Sequence, residues 1–253
     1  MSTASGSDVR AARLHSTQSI LARLPDIPRW VEARSLLLAG DGEIFGLDEA
    51  PELSLAVRDP STGSVVVVGQ PAPDAVEASA RDMLHDGTLI AALEHADWLA
   101  GLLPGWHRTR AILHALRDPT RLPSDLADVR FLDPETIDRV PISDQLRREL
   151  RIGAADSPIA ATFVNERPVS FCYAGSVTET WWDVSIDTVP EHRRRGHAAA
   201  CVAYMISYMK AQGKQPVWGA VVENPASWRL AEKIGFTPID ELALFEPPWA
   251  RDE

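Results

Sequence analysis

Lysine is nearly missing from this chain: 253 residues contain three, Lys210, Lys214 and Lys233. Cysteine is scarcer still, with Cys172 and Cys201 alone. Two thiols cannot build a disulfide framework or a Cys-rich zinc site, so a reducing cytoplasm is the simplest expected compartment. Positive charge is short overall: 25 bases against 36 acids leave a net charge of −11. Phosphate attraction needs clustered Lys/Arg, so neither nucleic acid nor a membrane is expected as a partner. Long apolar runs are also lacking. An uncharged stretch such as Gly196–Met209 falls short of the ~18 residues a membrane span needs. Met1–Asp8 shows no basic start followed by an apolar run, so no secretory signal is expected. Neither His-Glu-x-x-His nor Gly-x-Ser-x-Gly occurs, which removes two common hydrolase signatures, and no metal is expected.

What is present is an ordinary globular composition, 45% hydrophobic and 24% charged. The length suits one to two domains with a substantial core. The charge is unevenly placed. Residues 193–233 hold seven bases (Arg193, Arg194, Arg195, Lys210, Lys214, Arg229, Lys233) and two acids (Glu223, Glu232). A positive island therefore sits in an acidic body.

In the first half, Val9–Leu24 has helical spacing, and Pro25 and Pro28 break it. Leu53–Val57 and Ser64–Val68 read as a hairpin across Asp59-Pro60-Ser61-Thr62-Gly63. Pro73–His85 is amphipathic, and Leu89–Leu99 and Arg108–Leu116 read as further helices. Gly40–Gly46 nearly matches a dinucleotide fingerprint, but its third glycine comes late, so it reads as a loop. Asp118–Pro123 reads as a connector.

The second half is better patterned. Val129–Leu132, Ile159–Val164, Pro168–Tyr173, Trp181–Thr188, Val217–Val222 and Leu242–Phe245 read as strands. Ser143–Arg151 reads as a helix capped by Ser143, Arg195–Ala211 as one closed by Gly213, and Pro225–Ile234 as one capped by Asn224 and closed by Gly235. The expectation is an α/β (α+β) layer architecture, a mixed central sheet flanked by helices.

The most informative stretch runs from Val184 to Ala198. It is a strand, a turn with three arginines, and a glycine opening a helix. A helix N-terminus offers unpaired N–H groups and the positive end of the dipole, which suits phosphates. Gly196 lets a ligand approach the backbone. Arg-x-x-Gly-x-Ala at Arg193–Ala198 resembles the acyl-CoA signature of the GCN5-related N-acetyltransferase (GNAT) superfamily. After the next strand, Asn224-Pro225-Ala226-Ser227 leading to Lys233-Ile234-Gly235-Phe236 is similar to a later motif of that superfamily. The resemblance covers about residues 126–253 and leaves 1–125 unexplained. The expected organisation is therefore a smaller α/β domain over 1–125, either a degenerate copy of the same fold or a substrate lid, and a GNAT domain over 126–253.

The resemblance implies roles residue by residue. Ile186, Asp187 and Thr188 would offer backbone hydrogen bonds to the pantetheine arm. Arg193, Arg194, Arg195, Gly196, His197, Ala198 and Ala199 would surround the pyrophosphate. Asn224 would contact the pantetheine region. A gap between the strands at 181–188 and 217–222 would hold the thioester. The implied reaction is acetyl transfer from acetyl-CoA to an amine of a small molecule or peptide. One departure stands out: many relatives carry a tyrosine seven residues after that asparagine, as acid for the leaving thiolate, where this chain has Ala231. The Asn-x-x-Ser-x-x-Leu-Ala pattern at 224–231 resembles the zwittermicin-resistance type. Ser227 or a water is the alternative proton donor. Asp183 and Glu223 are the candidate bases at the edges of the gap, with Glu179 a third. A catalytically silent acyl-CoA sensor is the alternative activity. His192 and His197 read as surface histidines, both cysteines as core, and Trp181–Trp182 as core anchors in preference to acceptor-pocket walls.

Overall fold

The computed structural model describes residues 17–47, 51–81, 83 and 87–251. The expected helical residues 9–16, 82 and 84–85 lie outside these. The chain divides into two compact units, residues 1–111 with 240–253 and residues 112–239. The sequence expectation placed one boundary at 125. The units instead change over within two strands, because each takes its closing strand from a distant part of the chain.

In the first unit, α1 covers residues 17–23. After Pro25 and Pro28 come α2 (Val31–Ala39), β1 (Glu43–Phe45), β2 (Leu55–Arg58), β3 (Val65–Val68), α3 (Pro73–Ala80), β4 (Leu89–Ala92) and α4 (Ala96–Leu102). β5 (His107–Leu116) leads into the second unit. There follow β6 (Val129–Phe131), α5 (Asp144–Asp156), β7 (Ala160–Val164), β8 (Arg167–Val177), β9 (Trp181–Thr188), α6 (His197–Ala211), β10 (Gln215–Val221) and α7 (Pro225–Lys233). β11 (Phe236–Glu246) leads back into the first.

The first unit is a sheet covered on both faces. β1 and β2 pair antiparallel, as do β2 and β3, while β3 and β4 run parallel. Residues 242–245 of β11 close it antiparallel to β4. Val65 and Val67 pack with α3 and α4, and Val66 and Val68 pack with α1 and α2. Burial on both sides explains the uninterrupted valine run. The hairpin turn follows from Asp59, whose carboxylate accepts from Ser61 N–H at 2.8 Å and from both hydroxyls of Ser61 and Thr62. Arg29 grips Asp240 through two bonds of 2.7 Å and pins the entry of the closing strand.

The second unit repeats the same pairing order. β7, β8 and β9 are antiparallel neighbours, and β10 joins β9 in parallel. β6 lines up beside β7, and residues 112–116 of β5 lie beside β10. α6 and α7 pack on one face with Trp182, Trp218 and Phe236. Helix α5 packs on the other against Phe171 and Tyr173. The caps are those the sequence predicts: Ser143 Oγ accepts from Leu146 N–H at 3.2 Å, and Asn224 Oδ1 from Ser227 N–H at 3.2 Å.

Three expectations from the first half are corrected. Leu89–Leu99 is not one helix: its start is strand β4 and its end lies in α4. Arg108–Leu116 is a strand, not a helix. Glu43–Phe45, read as loop, pairs with β2. Leu, Ala and Arg favour helix locally, but backbone pairing on both sides of β4 and β5 outweighs a propensity of tenths of a kcal/mol per residue.

Gly153 sits where α5 crosses the Tyr173 ring, and an added Cβ would fall 2.4 Å from that ring. Gly153→Ala should therefore destabilise the protein by about 1–3 kcal/mol, despite alanine's better helix propensity. Urea unfolding of the variant checks it, and an unchanged midpoint would contradict this packing.

Candidate active site

The site begins where two parallel strands stop pairing. Among the described residues, the register of β9 with β10 runs from Trp181↔Gln215 to Asp183↔Val217 and ends. β9 continues to Thr188 and β10 to Val221. The separation leaves ladder groups to be satisfied otherwise. Asp183 supplies one answer, since its carboxylate accepts from the backbone N–H of Gly219, two residues past the last pair. It also accepts from Val184 N–H. Burial disfavours the charged carboxylate and pushes its pKa up to about 6, against those two hydrogen bonds.

Alternation along β9 sorts the side chains. Trp182 and Val184 face α6 and the core, and Ile186 packs against the same cluster. Asp183, Ser185 and Asp187 face the other way. The β8 register sets Tyr173 opposite Ser185 and Phe171 opposite Asp187. A polar strip thus runs along β9 on the α5 face. Burial holds the Tyr173 phenol protonated well above its ordinary range, Asp187 and Glu149 push the same way, and a hydrogen bond from Ser185 opposes them. Burial also raises Asp187, with Arg193 pulling it down. Tyr173 and Ser185 were not anticipated; the alternation carried the signal for Ser185, but only the β8 register reveals Tyr173.

The basic turn follows. Thr188 is held at both ends: its carbonyl accepts from Arg193 Nε at 3.1 Å, and its hydroxyl pairs with Ser170 Oγ at 2.8 Å. The Asp187 carbonyl accepts from Ser170 Oγ at 3.0 Å. Arg193, Arg194 and Arg195 are exposed, and Arg194 has a positive φ of 62°. Gly196 caps α6 at φ 89°, and a Cβ there would meet nothing within 4 Å. The first turn of α6 carries no acid and no side-chain cap. The approach to this helix start at Gly196 is therefore open, beside three exposed arginines, which fits a pyrophosphate. His197 and Ala198 are half-buried, while Ala199 sits in the core, so only its backbone is available. Burial first, then His192 and Arg195, lowers the His197 pKa. The rings of His192 and His197 are 6.1 Å apart, and no group of three metal-ligating side chains occurs among the described residues.

On the β10 side, Asn224 spends its carbonyl on the α7 cap, leaving its amide N–H₂ for a ligand. Trp218 Nε1 donates to Ser227 Oγ at 3.0 Å. Indole only donates, so the Ser227 hydroxyl proton remains for another acceptor. Ala231 is fully buried against the core and offers no proton donor. Glu223 is exposed in the turn after β10. Glu179 lies before Trp181, at the paired end of β9 and away from the gap; its carbonyl accepts from Lys214 Nζ at 3.0 Å. Cys172 and Cys201 are buried, and burial raises both thiols, Cys201 to about 12.

The raised Asp183 pKa costs folding stability once the group ionises. The protonated form is favoured in the fold, so that contribution is present below the ordinary value of 3.8 and fades as pH rises towards about 6. Asp183→Asn should therefore gain on the wild type between those pH values, as read from thermal melts across the range. A constant difference would contradict the burial of this carboxylate.

Comparison with known proteins agrees with this geometry. No curated protein matches the sequence. A GCN5-related N-acetyltransferase-like protein from Streptococcus suis 89/1591 is similar at a TM-score of 0.68 and 18% identity, covering 93% of this chain and 98% of that one. A GCN5-related N-acetyltransferase from Kribbella flavida gives 0.58 and 15%, over 88% and 96%. A GNAT-family acetyltransferase from Colwellia psychrerythraea gives 0.56 and 12%, over 97% and 98%. The chain has the fold of these acetyltransferases, and residues 160–245, which hold the parted strands, the basic turn and the Asn224 cap, match the GNAT acetyltransferase family model.

Proposed function

We propose that the second unit transfers an acetyl group from acetyl-CoA to an amine of a small molecule or peptide. The parting of β9 from β10 beside the uncapped, arginine-flanked start of α6 carries this reading. The CoA pyrophosphate would lie on the N–H groups from Arg194 to Ala199, with Arg193, Arg194 and Arg195 around it. The pantetheine arm would extend along the backbone of Ile186, Asp187 and Thr188, past the last pair of β9 with β10, and meet the Asn224 amide. Acetyl-CoA supplies the thioester carbon that the amine attacks.

Asp183 takes the proton from the incoming ammonium, directly or through a water, because its pKa lies close to neutral pH. The amine nitrogen bonds to the acetyl carbon, and the carbon–sulfur bond breaks. Backbone N–H groups of the parted strand stabilise the oxyanion. The attacking nitrogen then sheds its second proton, which passes through the Ser227 hydroxyl to the thiolate, and the net products are amide, free thiol and the proton held by Asp183. Glu223 remains a second candidate base, reached from the exposed side. The Asn224–Ala231 pattern favours the zwittermicin-resistance type within the superfamily, and two buried thiols suit the cytoplasm.

The first unit repeats the pairing order without the chemistry, which supports reading it as a degenerate copy of the same fold. Its equivalent turn is Gly69-Gln70-Pro71-Ala72, with Pro73 opening α3 and Asp74 in its first turn. No base is present there, and β3 stays paired with β4 to Val67 of a strand ending at Val68. One observation favours the sensor reading instead, the core burial of Ala231 where the relatives' acid would stand.

Free-thiol release over a panel of amines tests both readings. Transfer is expected, with kcat/KM rising through an apparent pKa near 6 and Asp183→Asn lowering kcat about 10²–10⁴-fold. Binding without turnover on any amine would favour the sensor. Calorimetry should give one CoA per chain, and Gly196→Trp should weaken it at least ~10-fold. Two sites per chain would overturn the silent first unit.

A further inference from the structure

Two glycines flank Asp183, one on each neighbouring strand, and both are exposed. Gly175 lies on β8, where the register with β9 shifts, and Gly219 lies on β10. The fold accounts for the first. A Cβ on Gly175 would fall 2.8 Å from Ser185 Oγ and 3.5 Å from Asp183 Oδ2. The fold does not account for the second. Gly219 has no positive φ. A Cβ there would meet only Leu113 Cδ2, at the ordinary distance of 3.5 Å. Glycine inside a strand weakens it, and β-branched residues pack better on a pleated surface. The fold thus loses by having glycine at 219 and gains no relief from a clash or a strained turn.

The position has a distinct relation to the reacting group. Val217 is the register partner of Asp183, so Val217 and Gly219 share the face of β10 that continues the polar strip. The Gly219 N–H is bonded to the Asp183 carboxylate itself. A Cβ at 219 would stand more than 4 Å from that carboxylate, just past the last pair of β9 with β10, where an acceptor's own carbon would lie. An amine must bring its nitrogen within hydrogen-bond reach of the recessed oxygen, and the carbon bearing that nitrogen must follow it in.

We propose that Gly219 is the specificity-determining position for the acceptor, leaving room beside Asp183 for a primary amine on a branched carbon. The inference rests on the acetyl-transfer reading of this site. It names the acceptor class as α-branched primary amines, with unbranched ones also admitted, and it makes the absence of a side chain at 219 the reason.

The test uses the full chain as wild type, Gly219→Ala and Gly219→Val. Thiol release from acetyl-CoA is measured with matched pairs of unbranched and α-branched primary amines, such as n-butylamine and sec-butylamine. Melting temperature and CoA affinity are followed in parallel. The kcat/KM ratio of unbranched to branched amine should rise stepwise from Gly to Ala to Val, by about 10–200-fold in all. The melting temperature should hold or rise, as a strand position gaining a β-branched residue predicts. A ratio that does not move while turnover persists overturns this inference and leaves acetyl transfer standing. A melting temperature that falls by several degrees in Gly219→Ala shows a structural need for glycine and also overturns it. Wild type that binds CoA but releases no thiol with any amine overturns the acetyl-transfer reading, and this inference with it.

Discussion

Everything that happens at this site depends on β9 and β10 pairing for three residues and then separating. A parallel pair in the middle of a sheet does not part without leaving N–H and C=O groups to satisfy. The Asp183 carboxylate takes the Gly219 N–H that the ladder releases. One contact therefore does two things. It makes the gap tolerable, and it holds a carboxylate at the gap's closed end. Burial then raises that carboxylate's pKa towards neutrality, so the group that props the strands is also suited to move a proton. A lysine or arginine beside it would have pulled the pKa down and removed that capacity. The bases of the site lie ten and more positions further along the chain, from Arg193 to the start of α6.

Charge placement follows the same division. Bases cluster between 193 and 233, while the chain as a whole carries −11. Screening confines the attraction of an exposed arginine to about a Debye length, roughly 8–10 Å. A polyanionic ligand is thus drawn to the basic turn and repelled elsewhere. The strip of Asp183, Ser185, Tyr173 and Asp187 presents acids to whatever approaches from the α5 face. The two ends of the candidate site thus carry charge of opposite sign.

The second unit was legible in the sequence to a degree the first was not. The β9 bounds, the Ser143 and Asn224 caps, and the positive-φ Gly196, Gly213 and Gly235 all follow from local rules acting within a few residues. The alternation of β9 separates Trp182, Val184 and Ile186 from Asp183, Ser185 and Asp187 without reference to any partner strand. What stayed hidden was set by distant pairing. Leu89–Ala92 and His107–Leu116 carry helix-favouring residues and become strands because they sit between other strands. The exchange of closing strands, residues 242–245 to β4 and 112–116 to β10, has no local signature at all. Tyr173 and Gly219 join the site only through register.

The two units also show why shared connectivity does not bring shared chemistry. Both run three antiparallel strands, a helix, and a parallel strand. In the first, Val65–Val68 is buried on both faces, and no polar side chain is available to take an N–H from a parting neighbour. A gap there would leave backbone groups without partners in an apolar core, at a cost of about 1–3 kcal/mol each. Proline at the start of α3 and Asp74 in its first turn then occupy the helix end that an anion would need. Opening β3 from β4 would thus require at least two coordinated changes, a polar residue at a valine position and a basic turn with no proline at the helix start. In the second unit Asp183 and the Arg193–Gly196 turn meet both conditions, and that is why the features of the candidate site lie there and not in the first.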